Sequence, residues 1–244
     1  MIFARQLLQG IWHLIFPPVC AVCRIRLDSR MNHSFCHNCF EKITYLRQPI
    51  CRMCGMELAG SGDRAYLCGE CLRIPPPFSL ARSLVRYEPG IQQLVQKLKY
   101  TGDTSVLSGI TTIVRRVKLS EFADCDWIIP VPLHPDRHRH RGFNQATILA
   151  GLFFPEKADS IRSDWLIRTL NTTAQTTLSG LERRKNLVGA FQVRRVNQLE
   201  RAVVCLVDDV FTTGTTVKEC SKTLLKQGVK DVRVLTLARA IKTA

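Results

Sequence analysis

The sequence predicts an α/β protein, a mainly parallel sheet flanked by helices and preceded by a small metal-binding module. Three observations predict it. After residue 79, short β-branched runs alternate with amphipathic stretches, which argues for parallel strands with helices on the sheet faces. One such run, Val203–Val207, ends in two adjacent carboxylates and a hydroxyl- and glycine-rich turn. Before residue 72, eight cysteines fall in four C-x-x-C pairs. A chain of 244 residues is long enough for one good core and an accessory module.

From the N-terminus, residues 1–16 place apolar side chains at near-helical spacing and read as an amphipathic helix packed on its own protein. Arg5, Gln6, Gln9 and His13 interrupt any signal-peptide core. No stretch approaches the roughly 20 apolar residues of a membrane span, so no stable membrane insertion is expected. Residues 17–74 hold the knuckles Cys20/Cys23, Cys36/Cys39, Cys51/Cys54 and Cys68/Cys71. Two thiolates spaced in this way reach one tetrahedral ion from a tight turn, and two knuckles close a Cys₄ zinc site. The intervals from 24 to 35 and from 55 to 67 suit zinc ribbons. Sequential pairing joins neighbouring knuckles, and a cross-braced one joins first with third and second with fourth; spacing does not separate the two. Zinc-bound thiolates fit a reducing cytoplasm. Cys125, Cys205 and Cys220 lie in apolar contexts and read as core residues, and His33 and His37 as surface residues.

Ile74-Pro-Pro-Pro-Phe78 is a stiff connector, with the linker at 75–78 and the α/β domain spanning 79–244. Strands are expected at 83–87, 127–131, 203–207 and 232–237, and helices at 91–100, 104–118, 143–153 and 215–227. Ligands of such sheets collect at the carboxyl ends of the strands, where Asp208 and Asp209 stand. Thr213 or Thr215 can cap the following helix. Its first N–H groups, with the hydroxyls of Thr212, Thr213, Thr215 and Thr216 around Gly214, form an anion seat. Two acids beside a phosphate seat suit a ligand with both a phosphate and a diol, such as a ribose 5-phosphate. This is not a Walker loop, because Thr215 stands where the lysine would be, and no G-x-G-x-x-G occurs.

A second strand, expected to end at Val131, leads into a basic loop with Arg137, Arg139 and Arg141. Three guanidinium groups beside Gly142 and a helix start can neutralise a highly charged anion, although a solvated basic loop has the same composition. The formal net charge of +15 favours polyanionic partners without specifying one.

The segment from Asp208 to Thr216 resembles the phosphoribosyl-pyrophosphate (PRPP) loop of type I phosphoribosyltransferases. That likeness gives Asp208 and Asp209 the ribose hydroxyls, and Thr212, Thr213, Gly214, Thr215 and Thr216 the 5-phosphate. The pattern Pro130-Val-Pro-Leu-His134…Arg137…Arg141-Gly-Phe-Asn-Gln145 resembles the ComF family signature. So do Tyr87-Glu-Pro-Gly90 with Lys97-Leu-Lys99-Tyr100, and Thr172…Gln175…Leu178…Arg183…Asn186. The knuckles resemble that family's double zinc ribbon.

The ComF resemblance implies a type I phosphoribosyltransferase-like sheet. It makes 130–145 the pyrophosphate side, 172–186 a closing hood, and Lys99, Arg137, Arg139 and Arg141 contacts to PRPP held with Mg²⁺. It further implies a cytoplasmic role in natural transformation and use of external DNA. The expected partners are single-stranded DNA, the ComF-operon helicase and the recombination-loading protein. The alternative is an active phosphoribosyltransferase, with Asp208, Asp209, Arg137 and Arg141 catalytic towards a base or amine acceptor.

Overall fold

The computed structural model describes residues 19–27, 35–60, 66–100, 105–170, 187, 189–194 and 196–241. The expected N-terminal helix over 1–16 and the expected hood over 172–186 lie outside them. In chain order the helices are α1 (His37–Glu41), α2 (Gly69–Arg73), α3 (Pro89–Tyr100), α4 (Ser105–Val114), α5 (Pro135–Arg141), α6 (Gln145–Phe153) and α7 (Thr215–Leu225). The strands are β1 (Leu80–Arg86), β2 (Trp127–Pro130), β3 (Leu166–Arg168), β4 (Phe191–Val193), β5 (Val203–Phe211) and β6 (Asp231–Arg239).

Two compact units divide the chain, Met1–Thr44 with Glu88–Arg116, and Tyr45–Tyr87 with Val117–Ala244. In the first unit, α3 buries Ile91, Leu94, Val95 and Leu98, the stripe its periodicity predicts. It packs on α4. Lys97 reaches from α3 to the first knuckle and donates to the carbonyls of Ala21 (2.6 Å) and Val22 (3.4 Å). Lys99 stands half-buried in the last turn of the same helix.

The second unit holds the four-stranded sheet, in the order β1-β6-β5-β2 with each neighbouring pair parallel. Val204, Cys205, Leu206 and Val207 in β5, and Val232, Val234, Leu235 and Leu237 in β6, are buried, as the near-continuous apolar runs of inner parallel strands require. α6 packs on β2 and β5, and α7 on β5 and β6. Cys125, Cys205 and Cys220 are core residues as expected.

The second knuckle pair belongs to this unit and packs along β1, an edge of the sheet. The Ala81 amide donates to Met53 O at 2.6 Å, and the Leu46 amide donates to Leu84 O at 3.1 Å. An edge strand so covered offers few free ladder groups to another chain. Pro76 and Phe78 are buried, so the proline connector is anchored at both positions.

Three expectations change. β5 does not stop at Val207 but runs to Phe211, because β6 extends to Arg239 and supplies partners for Asp208, Val210 and Phe211. The basic loop folds as a helix, α5, since Pro135 pre-sets the first helical φ and His134 Nδ1 caps it by accepting from the Asp136 amide at 3.2 Å. The expected strand inventory also omitted β3 and β4, a short antiparallel pair.

Candidate functional site

Neighbouring residues of an extended strand leave it in opposite directions, so the twin aspartates have different surroundings. Asp209 is 5% exposed, and its Oδ2 accepts from Gln145 Nε2 at 3.3 Å. Gln145 opens α6, whose N-cap Asn144 accepts from the Ala146 amide at 3.0 Å and donates through Nδ2 to Val131 O. Arg141 donates to Gln145 Oε1. A chain of hydrogen bonds therefore joins the basic helix to the acid end of β5.

Asp208 is half-buried and faces a different set of groups. Its Oδ1 accepts from the Asp209 amide at 2.8 Å. The Arg168 guanidinium, on β3, is pulled below its ordinary value first by burial and then by the nearby Arg137 charge; Asp208 and the Cys220 thiol oppose the shift. Asp208, Arg137 and Arg168 thus form one electrostatic cluster. Burial pushes the Cys220 thiol well up, and Asp208 adds to it. Arg168 was not foreseen: a three-residue strand is too short to show a period.

Helical geometry sorts the three predicted arginines. Arg137 and Arg141 stand four apart, on one face of α5. Arg139 lies on another face, is exposed, and donates to Asp136. The structure thus brings Arg137 and Arg141 to the acid end of β5 and pairs Arg139 elsewhere.

Beyond Phe211 the chain turns at Gly214, which takes the left-handed φ of +71° and stands at the N-cap of α7. A Cβ there would meet Phe211 Cζ at 2.5 Å, so a side chain is excluded twice, by φ and by the ring. Neither of the two expected caps holds that position: Gly214 is the N-cap and has no side-chain cap bond, while the Thr213 hydroxyl accepts from the Thr215 amide at 3.4 Å and bonds the Thr215 hydroxyl at 2.8 Å. Thr212 and Thr213 are exposed, with Thr215 and Thr216 half-exposed. The elbow 212–216 therefore presents hydroxyls and helix-start amides where an anion is favoured.

The cysteines pair sequentially. Cys20, Cys23, Cys36 and Cys39 form one group and Cys51, Cys54, Cys68 and Cys71 the other, with all Sγ atoms of a group within 4.8 Å of one another. Zinc–sulfur bonds of about 2.3 Å in a tetrahedron put sulfurs about 3.8 Å apart. Cys23 and Cys36 Sγ lie 3.6 Å apart, and Cys54 and Cys68 Sγ 3.7 Å, as a Cys₄ zinc site needs.

Without an ion the thiols of each group divide, some held below and some above their ordinary value. Burial raises Cys20, but the amides of Cys36, Cys23 and Val22 outweigh it and bring the thiol to about 6. Burial likewise raises Cys51, and the amides of Cys68, Cys54 and Met53 bring it to about 7. Burial and then neighbouring thiols push Cys39 up, and burial and then the charge at Cys54 push Cys71 up. Four thiols this close ionise together when a dication holds them.

The molecule so defined is an α/β protein with two Cys₄ groups of zinc-site geometry and an acid-tipped parallel sheet. Residues 11–72 match the double zinc ribbon domain. The chain is 31% identical to the DNA utilization protein YhgH of Salmonella typhi, over 93% of this chain and all of that protein. It is 33% identical to competence protein F of Haemophilus influenzae, over 91% of this chain and 96% of that one. A hypoxanthine phosphoribosyltransferase of Staphylococcus aureus overlaps at 15% identity and a TM-score of 0.28, over 63% of this chain and 68% of that one, too slight an overlap to carry an argument. The chain belongs to the ComF family, that of competence protein F and YhgH. Among the described residues, no helix is long and apolar enough to cross a membrane.

Proposed function

We propose that this chain serves natural transformation and the use of external DNA in the cytoplasm. In this reading it binds PRPP or a related ribose phosphate at the 208–216 elbow, and single-stranded DNA on its basic surface. The observation that carries the reading is the meeting of four features at one sheet end: Asp208, the Thr/Gly elbow, the start of α7, and the Arg137/Arg168 cluster.

The roles divide by burial. Asp208, half-buried, takes the ribose hydroxyls, while the hydroxyls and amides of 212–216 take the 5-phosphate. Asp209 is committed to Gln145 and holds the α5–α6 corner in place. Arg137 supplies charge for a pyrophosphate, which would arrive with Mg²⁺. Family membership supports the DNA role, and the net charge of +15 suits a phosphate-rich partner. The ComF-operon helicase and recombination-loading protein are the partners this role calls for.

Calorimetry with PRPP and Mg²⁺ tests the elbow. Wild type should bind and Asp208→Ala should lose at least about tenfold in affinity, the 1.4 kcal/mol expected of one charged hydrogen-bonding group. Absence of binding by wild type, or equal binding by the variant, would overturn it. Pyrophosphate release from PRPP in the presence of candidate bases would identify turnover, the enzymatic alternative. Anisotropy with a labelled single strand should show affinity falling steeply with salt.

A further inference from the structure

The second zinc ribbon does more than cover an edge strand. Arg239, the last residue of β6, is buried. Its Nη1 donates to Cys54 O at 2.7 Å, and its Nη2 lies 3.7 Å from Cys54 Sγ. The same guanidinium carbon sits 4.4 Å from the centroid of the Phe211 ring. Phe211 is paired with Arg239 across the β5–β6 ladder, and its ring lies under Gly214. One side chain therefore touches a zinc ligand on one side and, on the other, the ring that sets the elbow's turn.

A second tie runs parallel to the first. Lys218, in the first turns of α7, pairs with Glu70 of α2 at 3.7 Å, and α2 carries the ligand Cys71. Both ties border one groove of about 180 Å³, lined by Cys54, Cys71, Phe211, Thr212, Thr213 and Lys218.

We infer that Arg239 is a positioning residue that couples occupancy of the Cys51/Cys54/Cys68/Cys71 site to the conformation of the 211–216 elbow, so that loss of that metal loosens the elbow's grip on its ligand. That the coupled property is ligand grip rests on the reading of the elbow as a sugar-phosphate seat. The physical basis is short. A zinc ion held by Cys54 Sγ would fix the knuckle's shape, and the Cys54 carbonyl and sulfur in turn orient the Arg239 guanidinium plane. The plane then holds the Phe211 ring by a cation–π contact in a buried setting, where such contacts are strong. Without the ion the knuckle has no fixed geometry to pass on.

The test uses full-length, zinc-loaded protein with Arg239→Met, which keeps the apolar stem but loses the donors, and Arg239→Lys, which keeps the charge. Three readouts are followed: hydrogen exchange of a 211–216 peptide, alkylation of individual cysteines resolved by mass spectrometry, and affinity for PRPP with Mg²⁺. In Arg239→Met the elbow should exchange at least about fivefold faster. Cys54 and Cys71 should be alkylated faster, with Cys23 and Cys36 unchanged, and Arg239→Lys should recover part of both effects. Coupling is reciprocal, so PRPP with Mg²⁺ should slow alkylation of Cys54 and Cys71 in wild type and not in Arg239→Met.

Unchanged elbow exchange in Arg239→Met would overturn the inference. So would an equal rise in a 127–131 peptide, which reports general loosening. If the elbow and cysteine arms respond as expected while wild type ignores PRPP, the coupling stands and the sugar-phosphate reading falls.

Discussion

The two cysteine sites have the same knuckles and nearly the same intervals, yet they are embedded differently. In the first, Cys23 is exposed and Cys36 and Cys39 are half-buried; in the second, all four cysteines are buried. The second group shares one hydrophobic cluster with Phe78, Phe211, Val217 and Leu224, residues of the sheet and its helix. The first is held by Lys97 of α3 within its own unit. The same set of ligands thus has two different surroundings, and what surrounds a zinc site decides what its loss can disturb. Loss of an ion from a site that is part of the core would disturb that core.

The comparison breaks if the two sites weigh equally on the fold. Replacing Cys71 by serine should cost about 4 kcal/mol, or about 8–16 °C in the melting of the sheet unit. Cys23→Ser should leave that transition nearly in place. Calorimetric scans of the two variants decide between them, and equal shifts would refute the contrast.

The next effect concerns the seam between ribbon and sheet. Gly55 has a φ of +70°, and a Cβ there would meet the backbone oxygen of Ala81 at 2.4 Å. Gly55→Ala should therefore cost about 2–4 kcal/mol, through left-handed strain and forced separation of the knuckle from β1. Denaturant unfolding measures it. A cost near zero would mean that the ribbon docks on β1 more loosely than the Ala81 contact implies.

Much of this architecture was legible because burial leaves a pattern. The run Val203–Val207 announced an inner strand, and the i, i+3, i+4 spacing of Ile91, Leu94 and Val95 announced a helix. The cysteine intervals announced zinc ribbons, but how many ions bind and which knuckles pair depend on contacts that spacing does not encode. The acid end of β5 was visible as a candidate anion seat. The separation of Asp208 from Asp209 was not, since it follows from β6 extending the ladder past Val207. α5 was masked by its own charges: an Arg/His run reads as loop, although Pro135 after His134 was a helix start in plain view. Arg239 lies 185 residues from Cys54, and nothing local in Ala238-Arg239-Ala240 hints at that partner.

The smallest expected effect sharpens the contrast from the other end of β6. That strand carries a second arginine, Arg233, which is not tied to a ribbon. Its Nη1 and Nη2 bond Asp124 Oδ1 and Oδ2 at 2.6 and 2.8 Å, and the Asp124 carboxylate is largely exposed. The bond to Arg233 holds the Asp124 carboxyl below the usual carboxylate range. A carboxyl lowered on folding stabilises at pH above its unfolded value of about 4 and stops doing so as pH falls through its folded value. Asp124→Asn should therefore cost about 0.2–1 kcal/mol at pH 7, the range of exposed pairs, and nothing once both carboxyl states are protonated. Urea titrations of the variant and wild type at neutral pH and at successively lower pH should converge. A loss as large as that of Gly55→Ala would place the strand's anchorage at its exposed end and remove the reason for assigning it to the zinc-bound one.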